Sequence, residues 1–232
     1  MNARLVPALI AATMLVACGG SAALATPTPT DTPKPTATPT SAAATSAAAT
    51  ATTGGWTVTS ASKATVKVRE QLAGVSFPSD AVLTATGAVG TFALKPDGTF
   101  SADSKITFDL NSLSSDERQR DQFIKMDTLE VRRFPTATLV PTRVDGLALP
   151  LASSGTFTFK LTGKLTIKGV PKDVAFDVVA KREGANLTAT ATLAPTVKFG
   201  DFGMQPPSTF RVLSIVDEIR LVVDLVATGS AA

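Results

Sequence analysis

The sequence predicts an all-β fold built from about eight antiparallel strands and one short helix. Apolar and polar residues alternate with a period of two over several long runs, and turn-forming residues separate these runs. A single charged segment lacks this alternation. These observations leave two architectures, a β-sandwich or an up-and-down barrel, and the length of the alternating runs favours the barrel.

The N-terminus has the pattern of an export signal that ends at the only cysteine of the chain. An apolar run, Leu5–Ala17, follows Arg4 and is shorter than the roughly 20 residues that span a bilayer. The residues Leu15-Val16-Ala17-Cys18 resemble the lipoprotein box of bacteria, in which the cysteine is acylated. We therefore predict a lipoprotein signal peptide at 1–17 and lipid attachment at Cys18. The alternative is an ordinary secretory signal with an incidental cysteine.

A stretch rich in Thr, Pro, Ala and Ser follows the cysteine. From Thr26 to Gly55 it contains no aromatic residue, and its only charges are Asp31 and Lys34. Such a composition cannot build a core, so we predict a disordered tether over 18–55. Its typical reach as a random coil is about 35 Å. The folded domain is then expected at 56–232, on the outer face of the membrane that holds the acyl anchor.

The clearest strand pattern in this domain is GTFTFKLTGKLTIKG, residues 155–169. Phe157, Phe159, Leu161, Leu165 and Ile167 share one face, and threonines and lysines occupy the other. Gly163 falls within the apolar set and indicates a bend. Similar alternation begins at Ile106, Val174, Leu187 and Ile219. Turn signals lie at Pro96-Asp97-Gly98, Asp145-Gly146 and 183–186.

The segment SSDERQRDQFIKMDTLEVRRFP breaks the alternation. Ser114 and Glu117 have the spacing of a capping box, so we predict a helix from about Ser115 to Met126 that lies across the barrel. The stretch REQLAGVSFPSDAVLTATGAVG, residues 69–90, is interpreted as a long connection between early strands.

Composition argues against nucleic-acid binding and catalysis. The formal net charge is only +3, and the lysines of 155–169 are spaced singly among apolar residues, which does not form a basic patch. The chain has no histidine, and its one cysteine is assigned to the lipid anchor, so the usual nucleophile and base pairs are missing. We expect a non-enzyme with no cofactor, no metal site and no nucleic-acid partner.

Several features together resemble one known family. They are Arg120-Asp121, Phe134-Pro135, the strand Leu161–Gly169, the Phe202-Gly203 corner and the closing VDEIRLVVDL from Val216 to Leu225. In this order they resemble the YceI-like family of exported polyisoprenoid-binding proteins. The resemblance implies an antiparallel eight-stranded lipocalin-like barrel with one short helix, whose cavity holds an isoprenoid chain.

We therefore expect the inward-facing residues to bind an isoprenoid or similar apolar lipid. The alternative is an interaction module on the cell envelope whose barrel is filled by side chains. A homodimer is left open as an alternative to a monomer. The predicted ligand-binding residues are Phe108, Phe123, Met126, Phe157, Phe159, Leu161, Leu165, Ile167, Phe176, Val178, Leu221 and Val223.

Overall fold

A computed structural model describes residues 55–208 and 211–229. The predicted signal peptide, Cys18 and all of the predicted tether except Gly55 lie outside these residues. The described chain forms ten strands and one short α-helix. The strands are β1 (Gly55–Val58), β2 (Lys63–Leu72), β3 (Ser79–Thr86), β4 (Val89–Ala93), β5 (Lys105–Asp109), β6 (Thr136–Asp145), β7 (Ser154–Ile167), β8 (Val170–Glu183), β9 (Asn186–Leu193) and β10 (Val212–Gly229).

Eight of these strands close into a ring, as the sequence predicts. The order is β1-β4-β5-β6-β7-β8-β9-β10, and β1 pairs with both β4 and β10, so the sheet returns to its first strand. Neighbouring strands are antiparallel throughout the ring. The expectation of an eight-stranded antiparallel barrel with one short helix is confirmed.

The two remaining strands extend the wall at one end of the barrel. β10 is 18 residues long, and only its last residues pair with β1. The rest of that edge pairs with β2, which in turn pairs with β3. The far edge of β3 meets Ser114, because Thr84 and Ser114 exchange two backbone hydrogen bonds of 2.8 and 3.0 Å.

Gly163 lies where the backbones of β6 and β7 come close together. The pairing of β6 with β7 shifts register between Pro141 and Arg143, beside the partner of Gly163. A Cβ atom on Gly163 would lie 2.7 Å from the carbonyl oxygen of Val140. Glycine is therefore required by the close approach of the two backbones at this irregularity.

The helix is shorter than predicted. The α-helix α1 covers Arg118–Phe123 and continues as a π-helical turn, Ile124–Thr128, so the predicted start near Ser115 is wrong by three residues. The Glu117 side chain accepts a hydrogen bond from the Gln119 N–H, so Glu117 is the N-cap. The Ser115 backbone N–H and hydroxyl instead donate to the Asp121 carboxylate, at 2.8 and 2.6 Å.

The interpretation of residues 69–90 as a long connection is also wrong. The end of β2, all of β3 and the start of β4 lie in this stretch. Ala81, Leu83 and Ala85 face the interior and are buried, so the pattern alternates by two as in the other strands. Because two of these three residues are alanines, the apolar signal is weak.

Nowhere in 55–208 or 211–229 is there a helix with both the length and the apolar character to cross a bilayer.

Candidate functional site

The interior of the barrel contains three open spaces that follow one another along its axis. We call them the mouth, of about 610 Å³, the outer chamber, of about 130 Å³, and the inner chamber, of about 100 Å³. The mouth and the outer chamber share Val68, Leu83, Ile124 and Phe199 as lining residues. The outer and inner chambers share three residues, which are described below.

The outer chamber has an almost entirely apolar wall. Thr128 is the single polar residue among the side chains that line it. A space with so few hydrogen-bonding groups favours hydrocarbon over water. The sequence-predicted residues that line this chamber are Phe108, Leu165, Ile167, Phe176, Leu221 and Val223.

The inner chamber has no polar residue in its lining. Trp56 and Phe92, whose ring centroids are 6.4 Å apart in a stacked arrangement, form part of its wall. The alternation of β7 supplies much of the remainder. The sequence-predicted residues that line this chamber are Phe157, Phe159, Leu161, Phe176, Val178 and Val223.

A partition of three side chains separates the two chambers. Leu139 of β6, Phe176 of β8 and Val223 of β10 line both spaces. Phe176 is only 1% exposed, which makes it one of the most completely buried large side chains of the described residues. The interior is therefore hollow at two levels and closed between them.

The far end of the inner chamber is covered by the loop between β6 and β7. Leu147 and Leu151 of this loop line the chamber. The Arg182 guanidinium donates hydrogen bonds of 3.1 and 3.2 Å to the carbonyl oxygens of Leu151 and Ala152. The same guanidinium lies 5.1 Å from the centre of the Trp56 ring, a cation–π contact. These contacts hold the loop over this end, so we call it the closed end.

The mouth at the opposite end is polar as well as apolar. Phe123 and Ile124 project into it, and a charged group beside them joins the helix to β2. The Arg120 guanidinium lies 2.7 Å from Glu70 and 2.7 Å from Asp116. Glu70 faces inward and is only 6% exposed, so this ion pair is largely shielded from water. Arg120 thus holds α1 against the rim of the barrel.

A 3₁₀ turn, Phe199–Phe202, closes one side of the outer chamber. Phe199 and Phe202 are buried and line the chamber. Asp201 accepts a 2.8 Å hydrogen bond from the Lys198 N–H and pairs with Lys172 of β8. The hydrogen bond from Lys172, followed by that from Lys198, lowers the pKa of Asp201 below its usual value of 3.8, although burial opposes the shift. The ionised carboxylate therefore fixes the turn.

Eleven of the twelve predicted residues line one of the three spaces. Phe123 lies in the mouth rather than over a chamber. Met126 is the exception, since it is 50% exposed and is absent from the three linings. The π-helical turn that replaces the expected helix end carries Met126 away from the interior.

Part of the outer chamber wall was not predicted from the sequence. Ala64, Val66 and Val68 of β2 line it, and so do the residues of the 3₁₀ turn. The alternation in KATVKVREQL could have identified the β2 residues. The turn has no such periodic signal, although its Phe202-Gly203 corner is one of the features that resemble the YceI-like family.

No group of three or more His, Cys, Asp or Glu side chains that could hold a metal occurs in 55–208 or 211–229. Within the same part of the chain, every fully buried side-chain nitrogen or oxygen has a hydrogen-bond partner. What the arrangement does provide is apolar surface, which gains about 25 cal/mol for each Å² removed from water.

A closed antiparallel barrel with one short helix and an apolar interior defines a lipocalin-like architecture. The sequence profile of the YceI-like domain matches residues 40–227. The chain therefore belongs to the YceI-like domain family. The matched range begins within the predicted tether, before the first residue that the structure describes.

Bacterial relatives share part of the sequence. A UPF0312 protein of Pseudomonas putida strain F1 is 37% identical over 128 residues, which cover 48% of this chain and 61% of the relative. A UPF0312 protein of Pseudomonas fluorescens strain SBW25 is 36% identical over 124 residues, with the same coverage of 48% and 61%. The chain thus matches about 61% of the length of these curated relatives.

Solved structures share the fold at low sequence identity. A polyisoprenoid binding domain from Saccharophagus degradans, implicated in plant cell wall breakdown, has a TM-score of 0.56 and 14% identity, covering 75% of this chain and 98% of that one. BcnA of Burkholderia cenocepacia has a TM-score of 0.52 and 22% identity, with coverage of 72% and 96%. At these identities the likeness establishes the fold.

Proposed function

We propose that this protein binds, without catalysis, an isoprenoid-type or similarly apolar lipid inside its barrel. The observation that carries the proposal is a pair of apolar chambers behind a mouth with polar groups. A lipid with a hydrocarbon tail and a polar head matches this gradient, because the tail needs apolar surface and the head needs water or hydrogen bonds. The polyisoprenoid-binding domain of similar fold supports the choice of an isoprenoid.

The proposed binding takes place on the outer face of a membrane, where an acyl group on Cys18 anchors the chain. This part rests on the sequence, in which an apolar run ends in Leu15-Val16-Ala17-Cys18. Two or more acyl chains on one cysteine give stable anchoring, since each buried methylene contributes about 0.8 kcal/mol. Growing the host with an alkyne-labelled fatty acid should label the wild-type chain and leave the Cys18→Ser variant unlabelled. Equal labelling of both chains would exclude this anchor.

Native mass spectrometry tests the binding itself. The full chain carrying Cys18→Ser is purified from its host without detergent, and we expect a co-purifying lipid of isoprenoid mass. A spectrum that contains only the bare chain would favour the alternative, a displayed interaction module without a ligand. One observation supports the alternative of a barrel without a ligand, because the partition of side chains interrupts the interior space.

A pair of neighbouring substitutions on β7 locates the binding surface. Phe159 lines the inner chamber, whereas Lys160 points outward and pairs with Asp177. Phe159→Glu places a carboxylate among apolar side chains and should abolish lipid retention, while Lys160→Glu should preserve it. Circular dichroism must show that both variants are folded. Equal retention by both folded variants would contradict the assignment of the inward face.

A further inference from the structure

The side chain of Phe176 lies inside the barrel at the level where the two chambers are separated. Its ring lines the outer chamber on one side and the inner chamber on the other, and it is 1% exposed. Leu139 and Val223 are the other two residues that line both spaces. These three residues come from β6, β8 and β10, so the partition joins separate parts of the barrel wall.

We infer that Phe176 sets the length of tail that the barrel accepts, an inference that rests on the proposed lipid binding. A tail that ends in the outer chamber leaves the partition untouched. A longer tail reaches the inner chamber only after the Phe176 ring has turned out of its packed position. The ring therefore acts as a length-dependent barrier within an otherwise uniform apolar path.

The chambers are small enough to separate short tails, which end before Phe176, from longer tails, which have to pass it. An apolar cavity of about 150 Å³ binds one benzene molecule. The outer chamber, at about 130 Å³, therefore has room for roughly one isoprene unit beyond the mouth, and the inner chamber, at about 100 Å³, has room for about one more. Without movement of Phe176, the two spaces cannot accommodate one continuous tail.

The loop at the closed end limits how far a tail can extend beyond Phe176. Arg182 holds the loop that carries Leu151 over the inner chamber, at 3.1 Å from the Leu151 carbonyl oxygen. A tail that passes Phe176 therefore enters a space with a covered end. The end of a bound tail can therefore lie at one of two positions, in the outer chamber before Phe176 or in the inner chamber beyond it.

A series of prenols of increasing length tests the inference. Geraniol, farnesol, geranylgeraniol and solanesol are titrated against the full chain carrying Cys18→Ser, together with Phe176→Leu or Phe176→Trp. Phe176→Leu removes the ring and should lower the Kd of the longest prenol about tenfold, with geraniol changed less than about twofold. Phe176→Trp should weaken the longest prenol by a similar factor and leave geraniol unaffected. Thermal melting checks that the variants are folded.

Phe202→Leu is the matched control. Phe202 is as deeply buried as Phe176 and lines the outer chamber without touching the inner one. Its replacement should change the Kd of every prenol by a similar factor. If Phe176→Leu does not fold, Val223→Ala opens the partition from β10, two strands away in the ring, and should give the same length-dependent gain.

The outcomes separate this inference from the function on which it rests. Chain-length profiles that stay parallel in wild type and Phe176 variants would overturn the role of Phe176 while leaving lipid binding intact. Failure of the wild-type chain to bind any prenol would overturn the proposed function itself. A gain confined to the longer prenols supports both.

Discussion

The buried carboxylate of Glu70 is the residue on which the attachment of the helix depends. It lies inside the rim at 6% exposure, and Arg120 is its partner at 2.7 Å. A buried charge that loses its partner costs far more than an exposed pair contributes. This asymmetry makes the ion pair a clamp whose two halves have to be present together.

We predict that Arg120→Met lowers the free energy of unfolding by about 3 kcal/mol, because Glu70 is left charged and unpaired in the rim. The double variant Glu70→Leu with Arg120→Met should regain most of that loss. Arg143→Met is the control, since Arg143 and Asp145 are both more than half exposed, and it should leave the free energy of unfolding near that of wild type. Urea unfolding measures all four chains, and equal losses for Arg120→Met and Arg143→Met would contradict the clamp.

Asp201 links acid stability to the wall of the outer chamber. Its lowered pKa means that the ionised form is favoured in the folded state, so its contribution is present above the usual value of 3.8 and is lost as the pH falls through the lower, folded value. Asp201→Asn should therefore lower the melting temperature at pH 7. The difference from wild type should shrink as the pH falls below 3.8.

The matched control for this residue is Asp173→Asn. Asp173 is 85% exposed and pairs with Lys164 on the outer surface of the barrel. Because exposed pairs contribute little, its replacement should leave the melting temperature near that of wild type. A constant difference between Asp201→Asn and wild type from pH 7 to pH 2 would show that the carboxylate charge is not the cause.

At the scale of single elements, β7 carries the most informative glycine of the barrel. Gly163→Ala would place a methyl group 2.7 Å from the Val140 carbonyl oxygen, so β6 and β7 would have to separate. We expect a loss of about 1 to 3 kcal/mol in the free energy of unfolding. Gly200→Ala, where no atom lies within 4 Å of the added methyl group, should be close to neutral. Equal losses for the two variants would contradict the close approach.

The elements that could be predicted from the sequence are those with strong alternation. β7, β8 and the end of β10 carry large apolar side chains at most inward positions, and β9 has a leucine near each end of its inward face, so these inward faces line the chambers as expected. β3 was missed because Leu83 is the only large apolar side chain among its buried inward residues, whereas β9 has two leucines. The predicted start of α1 at Ser115 was too early. Ser115 donates hydrogen bonds to Asp121, six residues further on, and Glu117 caps the helix instead. The spacing of a capping box does not reveal such a contact.

The interior was only partly predictable for a related reason. Alternation specifies which side chains point inward, and it identified the walls of both chambers. It does not specify how side chains from distant strands meet, so the partition formed by Leu139, Phe176 and Val223 could be seen only in three dimensions. The 3₁₀ turn that closes the outer chamber lacks a periodic signal altogether.

At the scale of the whole molecule, the described chain begins at the closed end of the barrel. Gly55 precedes Trp56, which lines the inner chamber, whereas Val212 at the start of β10 lines the mouth. β8 pairs with β7 over its whole length of 14 residues, so with a tilt of about 40° this part of the barrel wall measures about 35 Å along the axis. The predicted tether has a typical reach of about 35 Å, which is about equal to this length, so a shorter tether would not span it.

This comparison predicts a role for the tether in lipid uptake. For a chain anchored through Cys18 as proposed, deletion of residues 26–45 should slow the uptake of a fluorescent prenol from the membrane, because the mouth then reaches the surface less often. Binding of the same prenol from solution should not change. A Gly/Ser replacement of equal length should restore the uptake rate, and unchanged uptake by the deleted chain would contradict the prediction.

The central claim is that the apolar interior is a space for a lipid tail, and filling that space tests it most directly. Ala137 lines the outer chamber, and its neighbour Thr138 faces outward on the same strand. Ala137→Phe should occupy most of the chamber and remove the co-purifying lipid, with the melting temperature kept or raised because an existing cavity is filled. Thr138→Phe should retain the lipid. Undiminished lipid in a folded Ala137→Phe chain would contradict the account.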